Sequence, residues 1–142
     1  MRSYVVRLMD RPLYQTTQQV FDKICDRLDN GKGRAYSAHE RRCVYRTSSG
    51  LPCVIGALVP TGHPLDPAMR MASGDVASLI HQVPEFLHLF AEGAFDKRML
   101  SELQHLHDDS KCWKAKRFIA WNKVALVAKH HNVTFNPEKY HA

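Results

Sequence analysis

Residues 43–60, CVYRTSSGLPCVIGALVP, contain two β-like runs on either side of a Ser-Ser-Gly turn, with one cysteine in each run. This pattern predicts a β-hairpin. A loop of residues 47–49 would place Cys43 opposite Cys53, whereas a two-residue loop would place Cys43 opposite Val54. In the first register the two cysteine Cα atoms would lie about 4.5 to 5.5 Å apart, close enough to share a ligand.

Outward from the hairpin, the periodicity predicts an α+β fold in which helices pack as an antiparallel set against the small sheet. A polar, glycine-containing segment before the hairpin, residues 31–42, is expected to be a mobile loop. The predicted elements are a strand over residues 3–9, a helix capped by Thr16 or Thr17 and ended by Asn30-Gly31, the hairpin, and about four helices near residues 76–80, 84–90, 96–108 and 111–129.

Apolar residues at helical spacing give two of these helices a core-facing stripe. The first helix carries Val20, Phe21, Ile24, Cys25 and Leu28. The last carries Trp113, Phe118, Ile119, Trp121 and Val124, with Trp113 and Phe118 pointing inward.

Length and composition are typical of one globular domain spanning residues 1–142, with a hairpin part over 43–60 and a helical part over 73–131. The first twelve residues are interrupted by charge and do not resemble a secretory leader, and no apolar run is long enough to cross a membrane. We therefore expect a cytoplasmic protein whose four cysteines stay reduced. The net charge of +6 favours anionic partners.

A set of residues within the stretch 43–60 is similar to a known motif: Cys43, Tyr45-Arg46, Gly50 and the run Cys53-Val54-Ile55-Gly56 before Leu58-Val59-Pro60. This arrangement resembles a C-x-Y-R, G-x-x-C-[AV]-[IV]-G motif followed by a hydrophobic pair and proline. The motif belongs to a family of small uncharacterised proteins of bacteriophages, prophages and some bacteria. The later Leu103-Gln104 with His107-Asp108 is similar to the family's L-Q-x-x-H-D segment. The resemblance covers about residues 17–131 and implies a phage-related origin.

Three chemical interpretations of the cysteine pair and of His107-Asp108 compete with a structural one. A tetrahedral zinc site would combine Cys43 and Cys53 with two further ligands, although no Cys-x-x-Cys knuckle is present. The candidates for those further ligands are His39, His63, His107 and Cys112. In the structural interpretation, the cysteines fill the hairpin core and His107 or Asp108 caps a helix or bonds to the hairpin.

The second chemical interpretation makes Cys53 or Cys43 a nucleophile with His107 as base and Asp108 or Asp109 as orienting group. The apolar run around Cys53 should raise its pKa and weaken it as a nucleophile. The third assigns His107-Asp108 to a metal phosphohydrolase centre, which would need further histidines and aspartates. We favour the structural interpretation and expect no catalytic residue and no cofactor; a metal, if present, would be held by Cys43, Cys53, His107 and Cys112.

Arg46 is expected to pair with Asp108 or Asp109 across the hairpin and the helix, or else to contact a partner. The other basic residues form two groups, one before the hairpin and one on the last helix, where Lys116 and Lys123 would share a face. The predicted partner-binding residues are Arg41, Arg42, Arg46, Lys111, Lys114, Lys116, Arg117 and Lys123, with Lys32 and Arg34 added for nucleic acid.

The combined prediction is a non-enzymatic phage-derived protein that binds and inhibits a host macromolecule. The partner would be a host protein or protein–nucleic-acid complex, such as a CRISPR effector, and no membrane is involved. The alternatives are a protein that binds DNA or RNA through a basic face, and a small zinc-binding protein.

Overall fold

The computed structural model describes residues 11–140, so the strand predicted over residues 3–9 lies outside the described residues. The α+β class is confirmed, with short helices and two separate two-stranded antiparallel sheets in this part of the chain. The elements are α1 (Thr17–Leu28), β1 (Tyr36–Ser37), β2 (Arg42–Cys43), α2 (Val54–Ala57), α3 (Asp66–Met71), α4 (Val76–Gln82), a 3-10 helix (Pro84–Leu89), α5 (Lys97–Asp108), a 3-10 turn (Ser110–Cys112), β3 (Trp113–Lys114), β4 (Phe118–Ile119), α6 (Trp121–His130) and a 3-10 turn (Pro137–Tyr140).

Two of the predicted helices begin at side-chain caps, and Thr16 is one of the two residues predicted to cap the first helix. Thr16 caps α1 by accepting a hydrogen bond from the Gln19 amide at 3.1 Å. Asp96 caps α5 in the same way, through the Met99 amide at 2.9 Å. In both helices a short side-chain oxygen satisfies one of the amides that the first turn leaves unpaired, so the start of each helix is encoded locally.

Residues 43–60 do not form the predicted two-stranded hairpin. β2 pairs with β1 instead, so part of the segment expected to be a mobile loop is a strand. The Ser-Ser-Gly turn is closed by an isolated bridge between Arg46 and Pro52. Neither predicted register occurs, and Cys43 and Cys53 are not opposite each other.

The second cysteine run is helical because Cys53 serves as an N-cap. Its Sγ accepts a hydrogen bond from the Gly56 amide at 3.3 Å, and α2 follows directly. Gly56 is required here for space, since a Cβ at this position would lie 2.5 Å from the Tyr45 carbonyl oxygen. The Tyr45 backbone thus approaches Gly56 closely.

The helix predicted over residues 111–129 is shorter than expected. Only Trp121–His130 is α-helical, and the preceding residues form the 3-10 turn at Ser110–Cys112 and the β3–β4 hairpin. The central turn residues Ala115 and Lys116 both have left-handed φ angles, 51° and 62°. Alanine and lysine favour helices, so the packing of buried residues in each strand outweighs local preference here.

The core lies between α1, α2, α5 and α6. Arg27 of α1 is buried and ties the core to the following loop by donating from Nη2 to the Gly33 carbonyl at 2.7 Å. Burial lowers the pKa of this guanidinium to about 10. The helical core residues include Val20, Phe21, Ile24, Leu28, Val54, Met99, Leu100, Leu103 and Val124, each fully or almost fully buried.

A histidine joins the end of α6 to α5. His131 follows α6 directly, and its Nδ1 lies 3.2 Å from an Asp96 carboxylate oxygen, while Nε2 contacts Glu102. These contacts close the helical part of the fold around the core. No helix within residues 11–140 combines the length and the apolar character needed to cross a membrane.

Candidate interaction surface

The β3–β4 hairpin presents a basic, partly aromatic face to solvent. Trp113 is paired with Ile119 and Lys114 with Phe118. Paired residues share a face of the ladder: the first pair is buried, whereas Lys114 is exposed and Phe118 is 54% exposed. The prediction is confirmed for Trp113 and wrong for Phe118, because the strand alternation places Phe118 beside a lysine rather than in the core.

The turn of this hairpin is held by hydrogen bonds within the hairpin and to the 31–34 segment. The Arg117 amide donates to the Lys114 carbonyl at 3.0 Å, and two left-handed residues lie between them, which defines a type I′ turn. Arg117 also donates from Nε to the Gly31 carbonyl at 3.1 Å, and the Lys116 carbonyl lies against Gly33. The hairpin is thereby fixed to the 31–34 segment.

The 31–34 segment leads into a second exposed aromatic ring. Tyr36 is 42% exposed, and the Arg34 guanidinium carbon lies 4.8 Å from its ring centroid. Arg34 also donates from Nη1 to the Asp108 carbonyl at 3.1 Å. We define the basic–aromatic face as the β3–β4 hairpin and the adjoining loop with β1, carried by Lys32, Arg34, Tyr36, Lys114, Lys116, Arg117 and Phe118.

The other predicted binding residues lie elsewhere. Arg41 and Arg42 are exposed in the β1–β2 hairpin, where Arg42 pairs with Glu40 at 3.0 Å. Lys111 is exposed after α5, and Lys123 on α6 donates to Cys112 Sγ at 3.7 Å. Lys116 and Lys123 do not share a helix face, because Lys116 is in a turn.

Arg46 does not pair with Asp108 or Asp109 as predicted. Its side chain is 6% exposed and lies with Asp66, the Nε and Oδ1 atoms being 3.7 Å apart. Nη2 donates to the carbonyls of Gly56 and Val59 at 3.0 and 2.9 Å. This geometry favours a structural role for Arg46 over contact with a partner.

Asp66 is the centre of a buried polar cluster that sequence reasoning missed. Tyr45 donates its hydroxyl to Oδ1 at 2.9 Å, and Arg70 donates to Oδ2 at 3.1 Å. Burial alone would raise the pKa of Asp66, but the hydrogen bonds from Arg70 and Tyr45 hold it below its ordinary value. The Tyr45-Arg46 pair was a signal for such a cluster, but nothing in the spacing pointed to Asp66.

The cysteines are poor candidates for chemistry. Burial raises the pKa of both Cys53 and Cys43 to about 11, so neither thiol is poised as a thiolate near neutrality. The prediction for Cys53 is confirmed. Cys112 is buried and contacts Lys123, and it does not join the other two cysteines.

His107 is fully buried, and both of its ring nitrogens are occupied. Nε2 accepts a hydrogen bond from the Ala35 amide at 3.0 Å, which places the ring proton on Nδ1. Nδ1 lies 2.8 Å from Asp108 Oδ1 and therefore donates to the carboxylate. Because Ala35 N–H and the Nδ1 proton occupy both positions, neither nitrogen offers a free lone pair to a metal or to a substrate proton.

The four-ligand metal set from the sequence is not brought together. Among residues 11–140, one cluster of potential ligands has its atoms within 4.8 Å of one another, and it consists of Cys43, His107 and Asp108. Arg34 Nη1 lies 3.8 Å from Cys43 Sγ, so a fixed positive charge borders this cluster. The tautomer of His107 and the neighbouring guanidinium both disfavour a bound cation.

A groove of about 220 Å³ runs beside the cysteine of β2. Its lining mixes Arg42 and Arg70 with Glu40, Asp75 and Asp108, so no single sign of charge dominates. It provides no convergent set of groups for one ligand class, and the basic–aromatic face remains the stronger candidate.

Burial lowers the pKa of His107, and this predicts a pH-dependent stability. The unfolded chain takes up a proton near pH 6.5, whereas the folded chain resists protonation until lower pH. We expect the free energy of unfolding to fall as the pH drops below about 6.5, and less steeply in His107→Gln. Urea titrations between pH 5 and 8 measure this, with the exposed His105→Gln as control.

The same prediction can be checked without a variant. An NMR titration of the wild-type ring protons should show the His107 signal titrating below pH 6.5. A His107 signal that titrates above pH 6.5 would contradict the buried neutral ring and its bond to Ala35.

Comparisons with known proteins leave the chain without a match. No protein-family model, no curated protein and no solved structure matches it.

Proposed function

We propose that the protein acts by binding and inhibiting a host macromolecule, not by catalysis, and that its origin is phage-related, as the sequence resemblance implies. The observation that carries the proposal is the basic–aromatic face, in which exposed lysines and two exposed rings lie on hairpins and each ring is paired with an arginine. Aromatic and arginine side chains are enriched at binding interfaces, and a rigid surface loses less entropy on association.

The chemistry of the described residues supports a binding role. Raised pKa values keep Cys43 and Cys53 protonated, and His107 uses both nitrogens within the fold. A nucleophile would need an adjacent base with a free acceptor atom. In residues 11–140 the His107–Asp108 pair instead bonds to the Ala35 backbone and fixes α5 against the loop before β1.

The positive net charge argues against inhibition by mimicry of nucleic acid. An inhibitor that mimics nucleic acid must be acidic to compete for a basic groove, whereas this chain carries +6. The protein would therefore cover an acidic patch of a host factor, or bind nucleic acid that a host complex exposes. A nucleic-acid-guided defence complex, such as a CRISPR effector, offers both kinds of surface.

Affinity capture from host lysate tests the proposal. The full chain should retain a host factor, and Lys114→Glu/Lys116→Glu should lose it because the sign of the face is reversed. The matched control is Lys97→Glu/Arg98→Glu, which changes the net charge equally at exposed positions of α5. Equal capture by both double variants would contradict the assignment of this face, and capture of nothing by the wild type would contradict the proposal.

A further inference from the structure

We propose that the basic–aromatic face binds single-stranded nucleic acid, with unpaired bases stacking on Phe118 and Tyr36 and lysines contacting phosphates. This inference rests on the proposed function and names the chemistry of the partner. Single-stranded nucleic acid is favoured over an acidic protein patch because both exposed rings are held by arginines and lie near exposed lysines.

Each exposed ring is paired with an arginine that is anchored elsewhere. The Arg117 guanidinium carbon lies 5.6 Å from the Phe118 ring centroid, and Arg117 also donates to the Gly31 carbonyl. Arg34 pairs with Tyr36 and also donates to the Asp108 carbonyl. Since both guanidinium groups are tied to backbone oxygens, they act as fixed supports that hold the rings in place.

The lysines supply mobile positive charge around these rings. Lys32, Lys114 and Lys116 are exposed and have no ion-pair partner among the described residues. Two carboxylates at the end of α5 already have hydrogen-bond partners: Asp108 accepts from His107 and Gln104, and Asp109 accepts from the Lys111 amide. The lysines are thus available to phosphate groups.

The two exposed rings and the nearby lysines together favour a single strand over a duplex as the partner. Base–aromatic stacking tolerates any sequence but requires an unpaired base, whereas the bases of a duplex are already stacked. A nucleotide carries a stacking face and a phosphate in one unit, whereas an acidic protein patch would need separate groups for the rings and for the lysines. Because Lys114 and Phe118 are a cross-strand pair, a base on Phe118 would bring its phosphate within reach of Lys114.

Fluorescence anisotropy with the full chain tests this inference. The probes are labelled oligothymidylate and oligouridylate of about 16 nucleotides, and a duplex of the same length. We expect both single strands to bind more tightly than the duplex. With about four phosphate contacts, affinity should fall about 50-fold between 50 and 200 mM salt.

Two substitutions separate stacking from charge. Phe118→Leu keeps an apolar side chain but removes the ring, and should weaken binding about 10-fold, while Phe118→Tyr should restore it. Lys116→Gly removes one charge and suits the left-handed backbone, so we expect it to keep the fold and to bind more weakly. Leu126→Ala, at a side chain 53% exposed, is the matched control and should bind as the wild type does.

The binding measurements can contradict the inference in three ways. Failure of either single strand to bind at 50 mM salt, tighter binding of the duplex, or unchanged affinity in Phe118→Leu would each overturn it. If the oligonucleotides fail but nuclease-treated lysate still yields a host protein that Lys114→Glu/Lys116→Glu loses, the inference fails and the proposed function stands. If nuclease-treated lysate yields nothing and the oligonucleotides fail, both are wrong.

Discussion

Replacing Gly33 with alanine is expected to lower the free energy of unfolding by about 3 to 4 kcal/mol. Gly33 has a φ of 72°, and a Cβ on it would lie 2.0 Å from the Lys116 carbonyl oxygen. The backbone fixes the position of the Cβ as well as that of the carbonyl oxygen, so neither atom can rotate away. The left-handed conformation adds its own strain. Thermal unfolding should show a decrease in Tm of roughly 10 °C.

Gly31→Ala is the matched control for this substitution. Gly31 has nearly the same φ, 75°, but a Cβ there would meet no atom of residues 11–140 within 4 Å. It should cost only the backbone strain, about 1 to 2 kcal/mol. If both alanine variants unfold at the same temperature, the close approach of the β3–β4 turn to Gly33 is wrong, and with it the continuity of the basic–aromatic face.

Replacing Asp66 with alanine should have an effect of similar size, about 3 to 5 kcal/mol, because it leaves Arg46 buried without its countercharge. The Arg46 side chain is 6% exposed, so water cannot replace the carboxylate without opening the fold. The variant also removes the acceptor for the Tyr45 hydroxyl. Chemical denaturation measured by circular dichroism gives the loss directly.

The control for the Asp66 cluster is Arg70→Ala. Arg70 bonds to the same carboxylate at 3.1 Å, but its side chain is 46% exposed. An exposed ion pair contributes little, so the change should stay below about 1 kcal/mol. A loss in Arg70→Ala as large as that in Asp66→Ala would show that the buried Arg46–Asp66 pair is not the main stabilising contact.

The helices of this protein were predictable where the signals are local. A threonine and an aspartate cap α1 and α5, and apolar residues at helical spacing follow each cap. The raised pKa of Cys53 was also predictable, because an apolar neighbourhood disfavours the thiolate wherever the residue lies in the fold. The structural interpretation of His107 expected a helix cap or a bond to residues 43–60, whereas the ring accepts from the Ala35 amide, before β1.

The strands and the polar clusters were not predictable in this way. The second half of the quoted stretch reads as a β-strand by composition, but Cys53 caps a helix there. Ala115 and Lys116 favour a helix, yet they form a left-handed turn. In both places the alternatives differ by about a kcal/mol locally, and burial of neighbouring apolar residues outweighs that difference.

By itself, the sequence determined the α+β class, the two capped helices, the positive charge and the unreactive surroundings of Cys53. The tertiary structure alone decided that Arg46 pairs with Asp66, that Phe118 lies exposed beside Lys114, and that the β3–β4 turn contacts the 31–34 segment. The physical reason is range: capping and helical periodicity act within about four residues. Pairing across 20 residues, and contact between Gly33 and Lys116, depend on how the core packs.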